Sequence, residues 1–223
     1  MMHQRIGNKF IIYFFLLFLL GSINNHSLIR FYNNKIDNIY ITGFEKEEML
    51  DLQNSILNLK LKNIFFLDKK LLVEELNKNN LIDNFFVYKN YPSTLKLAIK
   101  KTKFVAKLKK QNDIFLVGTN AKLIPLNHSN PQLPFIFGEP EIRQILNFIK
   151  IIENSGFKID DIESLYYYRS GRWDIKTKNN IIVKLPLNNY SEKLKYLPLI
   201  FNNKNFEKKI LDFRIQNQII TYD

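Results

Sequence analysis

Apolar positions in this chain fall into one unbroken block followed by a long region of short periodic runs. The block is Phe10 to Leu20, eleven consecutive apolar residues (FIIYFFLLFLL) behind a polar stretch that carries Arg5 and Lys9 and no acid. A basic flank ahead of such a segment keeps the amino terminus in the cytoplasm and exports the chain beyond the segment. Eleven residues suit the core of a signal peptide, whereas a membrane span needs about 20. The stretch lengthens to 18 residues, Ile6 to Ile23, when Lys9 snorkels to the headgroups. Signal cleavage prefers small residues at both recognition positions, yet Leu19-Leu20-Gly21 and Leu20-Gly21-Ser22 each present leucine. An uncleaved anchor is favoured over a cleaved signal. Both readings place the main body outside the cytoplasm.

Beyond the block the periodicity changes. Ile36, Ile39 and Ile41 mark a short strand that Gly43 stops. Met49, Leu52, Ile56 and Leu59 then recur every three to four residues, and Glu45, Glu47 and Glu48 sit in the first turn of that predicted helix, where the dipole favours acids. Asp68 is the N-cap of a second helix whose predicted buried stripe is Leu71, Leu72, Leu76 and Leu81. A strand through Phe85, Val87 and Tyr88 comes next, with Asn90-Tyr91-Pro92-Ser93 as its turn. Its return, Thr94 to Lys100, alternates Leu95, Leu97 and Ile99 against Lys96, Ala98 and Lys100. The predicted order is β-α-α-β-β.

The remainder reads as a β-rich module. A hairpin joins Ile114–Val117 to Lys122–Pro125 through Gly118 and Asn120. Leu133 to Gly138 leads into a helix with Pro140 at its first position, running through Ile142, Ile145, Leu146, Ile149 and Ile152 to Gly156. Three strands, 164–168, 172–177 and 181–185, form a meander, and a polar helix spans 190–201. A strand at Ile210–Arg214 and a last one from Gln218 to Tyr222 close the chain. The fold class is α+β: a single amino-terminal transmembrane helix, a β-α-α-β-β module, and a mainly antiparallel β domain with one or two helices.

Composition changes this picture less than its headline suggests. Of 223 residues, 33 are basic against 21 acidic, for a net charge of +12. Phosphate recognition leans on arginine, and only six of the 33 are arginines. The lysines accompany abundant Asn and Ile, as a compositional bias of the encoding genome would produce, so no specific nucleic acid is expected. Absence of cysteine excludes disulfides, thiolate zinc sites and a cysteine nucleophile. The three histidines, His3, His26 and His128, share no metal-ligand spacing, and phosphate-binding or nucleophile-elbow motifs are missing. Adjacent acids such as Glu47-Glu48 and Asp160-Asp161 diverge in a helix and make poor acid/base pairs. Tyr166-Tyr167-Tyr168 point alternately to opposite faces of a strand and so form no stacking platform. The expectation is a protein with no catalytic, metal or cofactor residues.

Several segments in order carry a resemblance. Phe65 with Asp68, Val87, Tyr91-Pro92, Leu95, Leu97 and Ala106 match a pattern of the POTRA domain in the FtsQ/DivIB cell-division family. Asn79-Asn80 stands where leucine-proline is usual, and Lys101-Thr102-Lys103 replaces the usual Glu-Arg. Leu133-Pro134 to Gly138, Gly171-Arg172-Trp173, Val183-Lys184-Leu185-Pro186 and Ile210-Leu211-Asp212-Phe213-Arg214 resemble the family's carboxy-terminal β domain. The resemblance implies a cytoplasmic tail (1–9), an anchor and juxtamembrane segment (10–29), a POTRA domain (35–107) and a β domain (108–223). It further implies a non-enzymatic, single-pass inner-membrane scaffold of the division septum, with its bulk in the periplasm. Expected partners are the small coiled-coil proteins FtsB and FtsL, other divisome components and the membrane. The alternative is a POTRA-containing secretion or outer-membrane assembly accessory that binds extended polypeptides. The expected partner-binding residues are Asp212, Phe213, Arg214 and Ile215 from the family-like strand, and Gln218, Ile219, Ile220, Thr221 and Tyr222 as a free edge that pairs with a partner strand. Arg214 has two candidate roles, a partner's acidic side chain or an internal ion pair with Asp212. Phe213 and Arg214 point to opposite faces, so at most one belongs to a core.

Overall fold

The computed structural model describes residues 3–23, 38–59, 64–126, 131–202, 209–216 and 218–223, together with positions 36 and 61. The chain divides into two compact units. The first holds a 21-residue helix, α1 (His3–Ile23), whose side chains from 9 to 22 are exposed. Among the described residues no helix is long and apolar enough to cross a membrane. The first unit also contains β1 (Asn38–Thr42), α2 (Lys46–Asn58), α3 (Lys69–Lys78), β2 (Ile82–Asn90) and β3 (Thr94–Lys101).

The β-α-α-β-β order expected from periodicity is present, in a sheet ordered β1-β3-β2 with β1 parallel to β3. Alternation makes that sheet two-faced. Ile39, Ile41, Leu95, Leu97 and Ile99 are buried with Leu52 and Ile56 of α2 and Leu72 and Leu76 of α3. Leu71, expected in the same stripe, is exposed, because the buried face of this ten-residue helix is set by the four-residue step from Leu72 to Leu76. Asp68 caps α3 by accepting from the amides of Lys70 (3.0 Å) and Leu71 (3.3 Å). Glu45 and Glu48 form a capping box at the start of α2. Gly43 has φ +95°, and a Cβ there would lie 1.8 Å from the Ile99 carbonyl oxygen, so only glycine admits this close approach.

The second unit comprises residues 80–83 and 101–223. Asn80–Asp83 are tied into it by Asn120 Nδ2, which donates to the carbonyls of Asn80 (2.8 Å) and Ile82 (2.9 Å), and by the Thr102 amide, which donates to Leu81 (2.8 Å). Its strands are β4 (Phe104–Lys110), β5 (Asp113–Gly118), β6 (Leu123–Pro125), β7 (Phe135–Phe137), β8 (Ile162–Tyr167), β9 (Trp173–Thr177), β10 (Ile182–Lys184), β11 (Ile210–Asp212) and β12 (Ile220–Tyr222). They form one sheet in the order β12-β11-β10-β9-β8-β7-β4-β5-β6. The pairs β10–β11, β7–β8 and β4–β7 are parallel and the other five antiparallel, so the unit is mainly antiparallel as expected.

One face of this sheet is covered by α4 (Ile142–Asn154), α5 (Tyr190–Leu194) and α6 (Leu197–Phe201). Ile145, Phe148, Ile149 and Ile152 form a single buried stripe on α4, and Phe148 stacks on Trp173 at 4.4 Å. The helix begins two residues later than Pro140 suggested, because Glu141 and Gln144 supply a capping box at its start. Gly156, at φ +80°, follows its end as read from the sequence. The expected helix over 190–201 is instead two short helices with a break at Lys195–Tyr196. Pro198 sits in the first turn of the second, a position that needs no amide donor.

Candidate functional site

Among the described residues, β12 has a strand neighbour on one side only. Its pairing partner, β11, fixes which of its backbone groups remain open. The Ile182 amide donates to the Lys209 carbonyl (2.8 Å) and the Phe213 amide to the Lys184 carbonyl (2.9 Å), so by alternation Leu211 also turns its polar groups toward β10. Ile210 and Asp212 therefore face β12, and their register partners Tyr222 and Ile220 face back toward β11. At the bend before β11, the Lys209 amide adds a bond to the Tyr222 carbonyl at 3.0 Å. The N–H and C=O of Thr221 consequently point away from the sheet. Of the last strand expected over Gln218–Tyr222, only Ile220–Tyr222 pairs. Gln218 and Ile219 are exposed and irregular.

Next to this edge, on the sheet face opposite the helices, the register sets Asp174, Lys184, Asp212 and Ile220 side by side across four strands. Both aspartates are buried. Each is held by an arginine two residues away in sequence, since a strand returns to the same face at every second position. Arg214 Nε lies 2.9 and 3.0 Å from the two Asp212 oxygens, and its Nη2 donates to Oδ2 at 2.5 Å. The Arg214 amide donates to Oδ1 as well, at 3.0 Å. Arg172 forks onto Asp174 at 3.2 and 3.3 Å, and the Leu185 amide donates to the same carboxylate. The Arg172 guanidinium lies 4.2 Å above the Tyr168 ring. Burial first, and then the charge of Asp174, raise the Tyr168 hydroxyl above its ordinary value.

Arg214 thus takes its internal role, with its side chain still 44% exposed. Phe213 is fully buried and belongs to the core, and Arg214 points to the opposite side. Ile215, Ile219 and Tyr222 are exposed large side chains, and Thr221 is exposed between them. The site combines an outward main-chain donor and acceptor, apolar side chains beside them, and a cation already neutralised by its own carboxylate. Such an arrangement has the geometry to which an extended segment can add as a further strand. Among the described residues no group of three His, Cys, Asp or Glu is placed to hold a metal. Sequence reasoning missed Asp174, although Arg172-x-Asp174 carries the same i, i+2 signal as Asp212-x-Arg214.

The hydrogen bonds from Arg214, the first cause, hold the Asp212 carboxyl below its ordinary value against the opposing effect of burial. A lowered folded-state pKa stabilises above the unfolded value and is lost as pH falls through the folded one. Relative to Asp212→Asn, the parent should be more stable by about 1–3 kcal/mol from neutral pH down to about pH 5, the gap closing as the pH falls below the ordinary aspartate value of about 3.9 and through the lower folded-state one. Urea unfolding across this range measures it. A gap that persists in acid would show that the charge of Asp212 is not what matters.

The family model "Cell division protein FtsQ/DivIB, C-terminal" matches residues 106–215. The chain is similar to the cell division protein FtsQ of Rickettsia bellii (strain RML369-C), with 26% identity over 188 residues, 82% of this chain and 70% of that protein. It is also similar to the cell division protein DivIB of Bacillus subtilis (strain 168), with 22% identity over 199 residues, 85% of this chain and 73% of that protein. Among solved structures, the major extracytoplasmic domain of the trans isomer of DivIB from Geobacillus stearothermophilus aligns at 12% identity with a TM-score of 0.34, covering 45% of this chain and 91% of that chain.

Proposed function

Because this chain belongs to the FtsQ/DivIB family of cell-division proteins, we propose that it is a non-enzymatic scaffold of the bacterial divisome that recruits other division proteins to the septum. In this reading α1 is the single-pass anchor in the inner membrane, with its amino terminus cytoplasmic and the rest of the first unit, from β1 onward, periplasmic together with the second unit. The first unit is a POTRA domain, and the second presents the recruiting surface. FtsB- and FtsL-like coiled-coil proteins are the partners assigned to that surface, with further divisome components on the first unit.

The observation that carries the reading is the open side of β12, where Thr221 turns its N–H and C=O outward beside the exposed Ile219 and Tyr222. An extended partner segment adds there as a further strand, with main-chain bonds giving affinity and flanking side chains setting register. Support also comes from the ion pair of Asp212 with Arg214, which fastens the carboxy-terminal end of β11 without using the edge itself.

A fluorescent fusion of the full chain in dividing cells tests the role. A band at midcell, present before constriction and required for a coiled-coil partner to appear there, is the expected result. Uniform envelope signal in cells that divide normally overturns the scaffold reading.

A further inference from the structure

The outer face of the β1-β3-β2 sheet carries an uneven set of side chains. Tyr40, Phe86 and Tyr88 on it are 58%, 56% and 54% exposed. Tyr40 lies beside Lys96 in the parallel register, and Tyr88 and Asn90 share a shallow depression of about 590 Å³ with them. Among the described residues, alternation puts no acidic side chain on this face, while Lys96 projects from its central strand. At the β2–β3 turn, the exposed Tyr91 packs against the exposed Phe65 with tilted rings and centroids 4.8 Å apart.

The position of this aromatic group within the fold is informative. The Asn38 amide donates to the Ser93 carbonyl, and Asn38 is the register partner of Thr94, so the β2–β3 turn lies at the end where the chain enters β1. Fourteen residues separate Ile23 at the end of α1 from Asn38. Fully extended they reach roughly 50 Å, so α1 in a bilayer would keep this end of the sheet within that distance of the headgroups. The intervening sequence adds Arg30 and Lys35 against Asp37.

Exposed aromatic rings with a lysine among them and without carboxylates suit the interfacial zone of a bilayer, where amphipathic rings sit at headgroup depth and an ammonium group meets anionic lipid. We propose that the outer face of the β1-β3-β2 sheet, with the Tyr91 turn, rests on anionic phospholipid headgroups of the membrane that holds α1. The proposal depends on the anchor reading of α1. The tether matters energetically: it converts a weak surface contact into an intramolecular one at high effective concentration.

The absence of cysteine makes the test direct. Full chains carrying a single environment-sensitive label at Asn90→Cys, or at Leu16→Cys in α1, are reconstituted in vesicles of phosphatidylethanolamine and phosphatidylglycerol. The label at 90 is expected to shift to the blue and be quenched by headgroup-labelled lipid, and both effects should vanish in pure phosphatidylcholine or high salt. In the Asn90→Cys chain, adding Lys96→Glu should reduce occupancy roughly fivefold or more, and adding Tyr40→Ser with Tyr88→Ser should reduce it further, with thermal melting unchanged. A solvent-like label at 90 with a buried label at 16 overturns the docking alone. Solvent-like signals at both positions overturn the anchor reading and the docking with it. Protection at 90 that appears only on adding a partner protein reassigns the face to protein and also overturns the proposal.

Discussion

Thr221→Pro is expected to abolish binding of the coiled-coil partner while the second unit still melts cooperatively and near the parent temperature. Proline removes an amide proton and sets φ close to −65°, both tolerated on an edge strand whose N–H faces outward. At Thr221 the lost N–H is the one aimed away from β11, so the ladder through Ile220 and Tyr222 is kept. A partner strand loses one main-chain donor and meets the ring instead, which should weaken it by roughly 100-fold or more. Ile220→Pro is the matched comparison, because its amide faces Asp212 and its loss also opens the β11–β12 ladder. That variant should lose binding and stability together. Titration of the partner by calorimetry, with parallel melts, reads both. Undiminished binding in Thr221→Pro would show that this edge is not the docking site.

Phe148→Ala should be the most damaging single truncation in the second unit, at about 4 kcal/mol. The ring is 1% exposed, lies parallel to Trp173 at 4.4 Å and meets Tyr190 edge-on at 5.6 Å. Alanine there removes the middle of an aromatic stack between α4, β9 and α5, and three rigid elements cannot close on the gap. A domain with ordinary stability has about 5–15 kcal/mol in total, so the folded fraction, and with it the β12 edge, should decline at growth temperature. Phe137→Ala, on the outer face and 45% exposed, keeps the core intact and should cost about 1 kcal/mol or less despite its stacking on Tyr166. Chemical denaturation of the two variants measures the contrast. Equal losses would place the stabilising packing elsewhere.

The first unit was legible in the sequence because each of its elements announces itself locally. Asp68 caps, Leu95, Leu97 and Ile99 alternate, and Gly43 and Pro92 punctuate. The second unit was legible in its helix and meander and obscure at β4 and β7. Phe104–Lys110 mixes Lys107, Lys109 and Lys110 into a strand paired on both sides, which hides its alternation. Phe135-Ile136-Phe137 is three apolar residues between Pro134 and Gly138 and reads as a connection, yet it forms a central strand. Both pair in parallel with segments far along the chain, and no local signal encodes such a partner. The same holds for the candidate site. The residues of the closing strands could be named, whereas the direction in which Thr221 turns its amide depends on the parallel pairing of β10 with β11, which joins positions 28 residues apart from Ile182 to Ile210.

β7 has a further consequence. Within the sheet, among the described residues, it alone joins the β4–β5–β6 group to the β8–β12 group, and it meets β4 at only two register positions, Lys107 with Phe135 and Leu108 with Ile136, helped by the Lys107 amide bonded to Pro134, while Ala106, Leu108 and Val117 share the core beneath α4. A continuous sheet is thereby hinged at its narrowest hydrogen-bonded joint. Pulled apart or slowly opened, it should separate along this seam into two smaller sheets before either unravels, so the half that ends in β12 can remain ordered while the other half breathes.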